Sequence, residues 1–324
     1  MRLLSIVVPV FNEEESLEVL ADQIKSAMEQ SNLAFEVHFV DDGSRDQSWA
    51  RILKISSEDR RFHGTRFRRN FGKAAALGHG FLQSSGDIVA TLDADLQDDP
   101  AELPQMITLM DNGLDLVSGW KKRRNDPWHK VFPSRVFNGM ISWMTGVRLH
   151  DHNCGIKVYR TEVATEIPLY GELHRFIPVL AAARGFRVGE KVVAHRSRKF
   201  GVSKYGFIRF LRGFLDLLTV TFMTRFSQRP QHFLGVIGLI CFVGGLFSLG
   251  YLAATWLIRF WNPQAFLPLH ERPLVIYAIG SLLLGAQFLS MGFLAEMIAA
   301  VQLAPRQNPS IRETTANQAG RVDS

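Results

Sequence analysis

Thr91-Leu92-Asp93-Ala94-Asp95-Leu96-Gln97-Asp98 follows the apolar run Ile88-Val89-Ala90, which reads as a buried strand emerging into a loop. Alternation along an extended chain puts Asp93 and Asp95 on one side. Two carboxylates sharing a space repel each other near neutral pH, and a hard divalent cation is the simplest way to keep both ionised. Oxygen-only ligands suit Mg²⁺ or Mn²⁺, and Gln97 can add a neutral carbonyl oxygen. An ion held by so few protein oxygens keeps open positions, which substrate phosphates commonly fill. An isolated Asp-x-Asp is more plainly an acidic loop after a strand, so the surrounding chain decides. An EF-hand is excluded, because the glycine at the sixth loop position and the glutamate at the twelfth are both missing.

Outward from this stretch, strand and helix patterns alternate. Ser5 to Val10 and Phe35 to Val40 read as strands, and Glu14 to Gln30 carries Leu17, Leu20, Ile24 and Met28 at helical spacing. Short helices are expected over Trp49 to Ile55 and Lys73 to Gln83, with further strands at His63 to Phe67, Ile88 to Leu92 and Leu116 to Gly119. The pattern predicts an α/β fold with a mostly parallel sheet, whose ligands bind beyond the carboxyl ends of the strands. Asn12, Asp41-Asp42 and Asp93-Asp95 all fall there. Asp41-Asp42-Gly43-Ser44 reads either as an Asx-type turn or as a carboxylate poised for a ribose or base edge. No Walker motif is present, and Gly78-His79-Gly80 lacks the third glycine of a dinucleotide fingerprint, so a metal would have to take over phosphate binding.

The 324 residues have a mean hydropathy of +0.03, but the apolar residues are unevenly spread. Phe233 to Ile258 and Pro273 to Ala295 are uncharged apolar runs, each long enough to cross a hydrocarbon core of ~30 Å as a helix. Leu3 to Val10 is short, interrupted by Pro9 and followed by acidic residues, which does not read as a signal peptide, so the first 200 or so residues are expected in the cytosol. Arg225, Arg229, Arg306 and Arg312 outside the spans, against Arg259 and Arg272 between them, agree with cytosolic termini. Cys154 and Cys241 fit a reducing compartment without a structural disulfide. A net charge of +6 beside two spans points to anionic lipid rather than nucleic acid, since the basic residues are not interleaved with aromatics as in a recognisable module.

Val8-Pro9-Val10-Phe11-Asn12-Glu13, Val40 to Ser44, Arg69-Asn70-Phe71-Gly72 and Leu92 to Gln97, in this order and spacing, resemble the inverting family 2 glycosyltransferases of GT-A (Rossmann-like) fold. Within them the polyprenyl-phosphate glycosyltransferases are most similar, a group that includes dolichyl-phosphate mannose synthase and bacterial polyisoprenyl-phosphate glucosyltransferases. The resemblance implies that Pro9, Phe11, Glu13, Asp42, Asp93 and Ser203 bind the donor nucleotide, and that Asp93, Asp95 and Gln97 hold the metal. It places the acceptor phosphate on the basic run 121–135, with Lys121, Arg124 and Arg135 the best matches; the rest of that run reads as a solvated face. Asp95, Asp151, Arg198 and Lys204 become the catalytic candidates, with Arg198, Ser203 and Lys204 reaching the donor diphosphate. Asp151 fits the place of a general base, yet a phosphate monoester is already mostly ionised at pH 7, so orienting the acceptor or stabilising charge on the sugar is an equal role. His150 and His152 beside it do not make a transition-metal site.

Four segments are expected: a GT-A domain over 1–205, an amphipathic interfacial helix and juxtamembrane segment over 206–232, two transmembrane helices over 233–299 and a disordered tail over 300–324. The implied reaction moves a sugar, UDP-glucose being the favoured donor and UDP preferred to GDP, to polyprenyl (undecaprenyl) phosphate with Mg²⁺ or Mn²⁺. The implied setting is the cytosolic face of a bacterial inner membrane, with a homo-oligomer suggested. A processive polysaccharide synthase of the same fold is the enzymatic rival, disfavoured by the missing Gln-x-x-Arg-Trp segment and by having only two spans. A non-catalytic lipid-carrier scaffold is the other rival, and it would have no use for Asp93, Asp95, Gln97 and Arg198 together.

Overall fold

The computed structural model of the chain describes residues 2–122, 128–194, 196, 207–225 and 230–306. Two compact units emerge, Met1–Thr224 and Arg225–Ser324.

The first unit is a layered α/β domain. Its strands are β1 (Leu3–Val10), β2 (Ala34–Asp41), β3 (Phe62–Arg66), β4 (Ile88–Thr91), β5 (Leu116–Trp120), β6 (Lys157–Arg160) and β7 (Val188–Val192). Its helices are α1 (Leu17–Gln30), α2 (Ser48–Glu58), α3 (Lys73–Gln83), α4 (Leu103–Asp111), α5 (Trp128–Thr145), α6 (Thr161–Glu166), α7 (Ile177–Ala183) and α8 (Phe207–Arg225). The sheet runs β3-β2-β1-β4-β6-β5-β7, and β6 alone is antiparallel to its neighbours, so the expected mostly parallel sheet is present.

Parallel strands are covered on both faces, which is why β1 and β4 read as nearly unbroken apolar runs. Ile6, Val8 and Val10 pack with Leu17, Leu20, Ile24 and Met28 of α1 in one core layer, whereas Val7 and Val89 pack with Leu77 and Phe81 of α3 in the other. The chain reverses direction across the sheet between β1, flanked by β2, and β4 on its other side. Ligands of open α/β sheets bind beyond the strand ends at such a switch point.

In α8 the buried positions Gly213, Leu217 and Val220 face the domain, and Leu215, Leu218 and Phe222 form an exposed apolar stripe. Of the apolar positions expected on an interfacial face, the side chains of Phe207, Phe210 and Leu211 lie outside the described residues. The second unit contains α9 (Pro230–Trp261) and α10 (Leu274–Arg306), an antiparallel pair. Both are long and apolar enough to cross a membrane, and only 11% of each apolar window is buried, unlike the core helix of a water-soluble domain. Cβ atoms at Gly238 and Gly245 would come within 2.9 and 2.7 Å of the backbone nitrogens of Leu289 and Leu282, so glycine sets how closely the helices approach. The tail expected to be disordered over 300–324 continues α10 as far as Arg306, and from residue 307 it lies outside the described residues.

Candidate active site

Three loops at the switch point are knitted by their own polar groups. Asn12, in a left-handed conformation at φ 56°, donates its N–H to Ser44 Oγ at 2.9 Å and accepts the Arg45 N–H on Oδ1 at 2.9 Å. Asp41 accepts the Ser44 N–H at 2.8 Å and pairs with Arg66 at 3.1 Å. Asp42, nearly buried, accepts the N–H groups of Phe71 and Gly72 at 2.6 and 2.9 Å, fixing the Arg69-Asn70-Phe71-Gly72 loop over the strand ends.

The resulting pocket, of about 340 Å³, is lined by Pro9, Phe11, Glu13, Asp42, Asp93 and Asp95 together with Asn70 and Lys73. The first five are residues that the family resemblance implies as nucleotide contacts. A wider groove of about 540 Å³ adjoins it at Phe11 and Asn70 and carries Arg45, Arg66, Arg68 and Arg69. Arginines here make the approach cationic, which favours a nucleotide's phosphates.

Asp93 and Asp95 do share one space, but not by strand alternation. β4 ends at Thr91, and the two carboxylates sit on a turn completed by Leu96 at φ 61°. Leu96 itself is buried in the core, which holds the unfavourable conformation in place. Gln97 does not line the pocket; its N–H donates to Asp95 Oδ1 at 3.2 Å. Among the described residues no three His, Cys, Asp or Glu side chains converge as a metal site on their own. Two carboxylates with open positions fit a hard divalent ion that completes its shell with phosphate oxygens. A cation already occupies part of that place: the Lys73 ammonium donates to the Asp93 carboxylate. Burial alone would push the Asp93 carboxyl up, but Lys73 pulls it well below the ordinary range, so Asp93 stays ionised.

Asp98, which the sequence did not single out, is buried and paired with Lys121 at 2.7 Å. Burial would lower the Lys121 ammonium, and the Asp98 carboxylate more than offsets this, raising it. Gly155 lets the chain close over this group, since a Cβ there would lie 2.5 Å from Asp98 Oδ2 and 2.6 Å from Asp93 Oδ2. Thr91 Oγ1 donates to the Gly155 carbonyl at 2.9 Å, tying β4 to the 151–155 loop. Asp151 is buried in that loop and accepts the Asn153 N–H at 3.2 Å. The neighbouring histidines diverge: His150 stacks on Trp120 at 3.9 Å, while His152 is buried against Ser142 Oγ at 3.1 Å. Arg135 is exposed on α5. Arg124, Arg198, Ser203 and Lys204 lie outside the described residues.

A seven-stranded, mostly parallel sheet with an Asp-x-Asp turn and a nucleotide-sized pocket at its switch point is the GT-A glycosyltransferase architecture. Residues 5–167 match the model of glycosyl transferase family 2, and the chain belongs to that family. A Rhizobium johnstonii protein named dodecaprenyl-phosphate galacturonate synthase is 38% identical over 314 residues, covering 95% of this chain and 90% of its own length. The undecaprenyl-phosphate 4-deoxy-4-formamido-L-arabinose transferase of Proteus mirabilis is 34% identical over 94% of this chain and 91% of its own. Both of these relatives are named as polyprenyl-phosphate sugar enzymes. The crystal structure of glucosyl-3-phosphoglycerate synthase from Mycobacterium tuberculosis with Mn²⁺, uridine diphosphate and phosphoglyceric acid shares the fold, at a TM-score of 0.53 and 18% identity over 69% of this chain and 78% of that one.

Proposed function

We propose that this chain transfers a sugar from a nucleotide-diphosphate donor to a polyprenyl phosphate at the cytosolic face of a bacterial inner membrane, inverting the anomeric carbon. The observation that carries the reading is the meeting of Asp93 and Asp95 with Pro9, Phe11, Glu13 and Asp42 in one pocket, on a chain whose two apolar helices are exposed. Asp93 and Asp95 would hold a Mg²⁺ or Mn²⁺ ion, which supplies Lewis-acid stabilisation to the departing nucleotide diphosphate. Phe11 and the backbone around Asp42 seat the nucleoside, and the arginine groove draws in its phosphates. Arg198, Ser203 and Lys204 belong to the leaving-group end through the family resemblance, and Arg124 and Arg135 to the acceptor phosphate.

Lys121 is the remaining acceptor candidate, and its ion pair with Asp98 makes it a support of the Asp93 turn as well. Asp151 orients the attacking phosphate, which needs no base at pH 7 because its second pKa is near ~6. The donor is a UDP-sugar, with UDP-glucose the expectation from sequence; the name of the Rhizobium relative makes UDP-galacturonate the second donor to try. Purified protein, undecaprenyl phosphate, Mn²⁺ and a panel of radiolabelled UDP- and GDP-sugars test the reading. Label in extractable lipid supports it, and label in long polymer favours a processive synthase instead.

A further inference from the structure

Behind the Asp93 turn lies a second, smaller cavity of about 10 Å³, lined by Lys73, Thr91, Asn153, Lys157, Tyr159 and His174 among others. Lys73 borders both this cavity and the larger pocket. The space admits one water-sized group.

Lys73 is already paired with Asp93, whereas Lys157 has no carboxylate at contact distance among the described residues. Lys157 opens β6 between the apolar residues Ile156 and Val158, is only 4% exposed, and donates to the Cys154 carbonyl. His174 adds a buried Nδ1 without a hydrogen-bond partner among the described residues. Thr91 Oγ1 gives its proton to the Gly155 carbonyl, so the Tyr159 hydroxyl donates to Thr91 at 3.2 Å and neither is a carboxylate partner for Lys157. A buried ammonium with a lone carbonyl for company is costly, and an apolar side chain would pack there more favourably.

We propose that Lys73, Lys157 and His174 form a subsite for one anionic oxygen of a reactant: the carboxylate of a uronate donor sugar or a phosphate oxygen of the acceptor. The proposal rests on the transferase reading, which puts the reacting sugar between the Asp93 turn and the 151–155 loop. The cavity has room for one such oxygen, which would give Lys157 a contact partner where Asp93 and Asp151 act on it only from a distance. A metal ion held by Asp93 would compete with Lys73 for that carboxylate, and Lys73 borders the cavity as well.

The test uses the full chain in detergent, as wild type, Lys157→Met and Lys157→Arg. Thermal midpoints are measured alone and with UDP-glucuronate or UDP-glucose, and KM values are measured for both donors, UDP-galacturonate and undecaprenyl phosphate. Lys157→Met is expected to melt no lower than wild type, because it removes a buried charge with no carboxylate at contact distance. One KM should rise about tenfold, as expected for loss of ~1.4 kcal/mol of binding, and Lys157→Arg should retain most of it. A rise confined to the two uronate donors identifies the sugar carboxylate; a rise in the lipid KM with every donor identifies the acceptor phosphate. Unchanged KM values, or a uniform change accompanied by a lower midpoint, make Lys157 structural and overturn the proposal. If wild type labels no lipid, the transferase reading fails by itself. The subsite is then decided by whether UDP-glucuronate raises the wild-type midpoint more than UDP-glucose does and loses that excess in Lys157→Met.

Discussion

Asp98 and Lys121 show how a charge run is divided between solvent and interior. Lys121 heads the basic stretch, yet its side chain is 13% exposed and its partner carboxylate 1%. Removing one member leaves the other charge buried alone, so Lys121→Ala is expected to cost about 3–5 kcal/mol in denaturant unfolding, whereas Lys121→Met with Asp98→Asn should recover most of it. Gly43 makes a second prediction. It sits at φ 72°, and a Cβ would lie 2.6 Å from the Arg69 carbonyl carbon, so Gly43→Ala should cost about 2 kcal/mol or more and loosen the pocket rim. Residues such as Asp93, Asp95 and Asp42 were legible because motif and strand end coincide. Lys73 and Lys157 were not, since one reads as the start of a helix and the other as a stray polar residue in a strand; only tertiary packing brings them to the same cavity.

At the scale of elements, periodicity located the strands and helices around the pocket to within a few residues. Lys73 to Gln83 matches α3, and Leu116 to Gly119 is one residue short of β5. The ends were less legible: β4 stops at Thr91, before the aspartates, because the left-handed Leu96 turn depends on core packing rather than on local preference. The α5–β6 connection supplies a pH prediction. Burial depresses His152 to about 4, and the imidazole is fully enclosed. The unfolded chain therefore binds the proton first, near its ordinary ~6.5, so stability is complete above that pH and falls as the pH drops toward about 4. The expected loss is about 3 kcal/mol across that window, read from unfolding at pH 7 and pH 4, and His152→Gln should flatten the dependence. In the helical pair, Gly245→Leu should separate α9 from α10, because the added carbon meets the Leu282 backbone at 2.7 Å; a lower midpoint in detergent checks this.

For the whole molecule, the apolar runs set the two spans apart from the α/β part in the sequence; the compact units divide at Thr224 and Arg225, inside the segment 206–232 expected as a separate interfacial element. The proposed chemistry of a metal and two phosphorylated substrates would use both units: the first carries the pocket proposed for the nucleotide, and the second has helices apolar enough for a membrane. Sugar identity is not legible in the sequence, because contacts to a sugar come from loops whose geometry only tertiary packing fixes. The most direct test is transfer of radiolabelled sugar from UDP-donors to undecaprenyl phosphate by purified protein, with Asp95→Ala and chelator as controls. The account predicts lipid-extractable label from a UDP-sugar that falls at least about a hundredfold in both controls. Undiminished label in Asp95→Ala, or no labelled lipid from any donor although the lipid is bound, would contradict it.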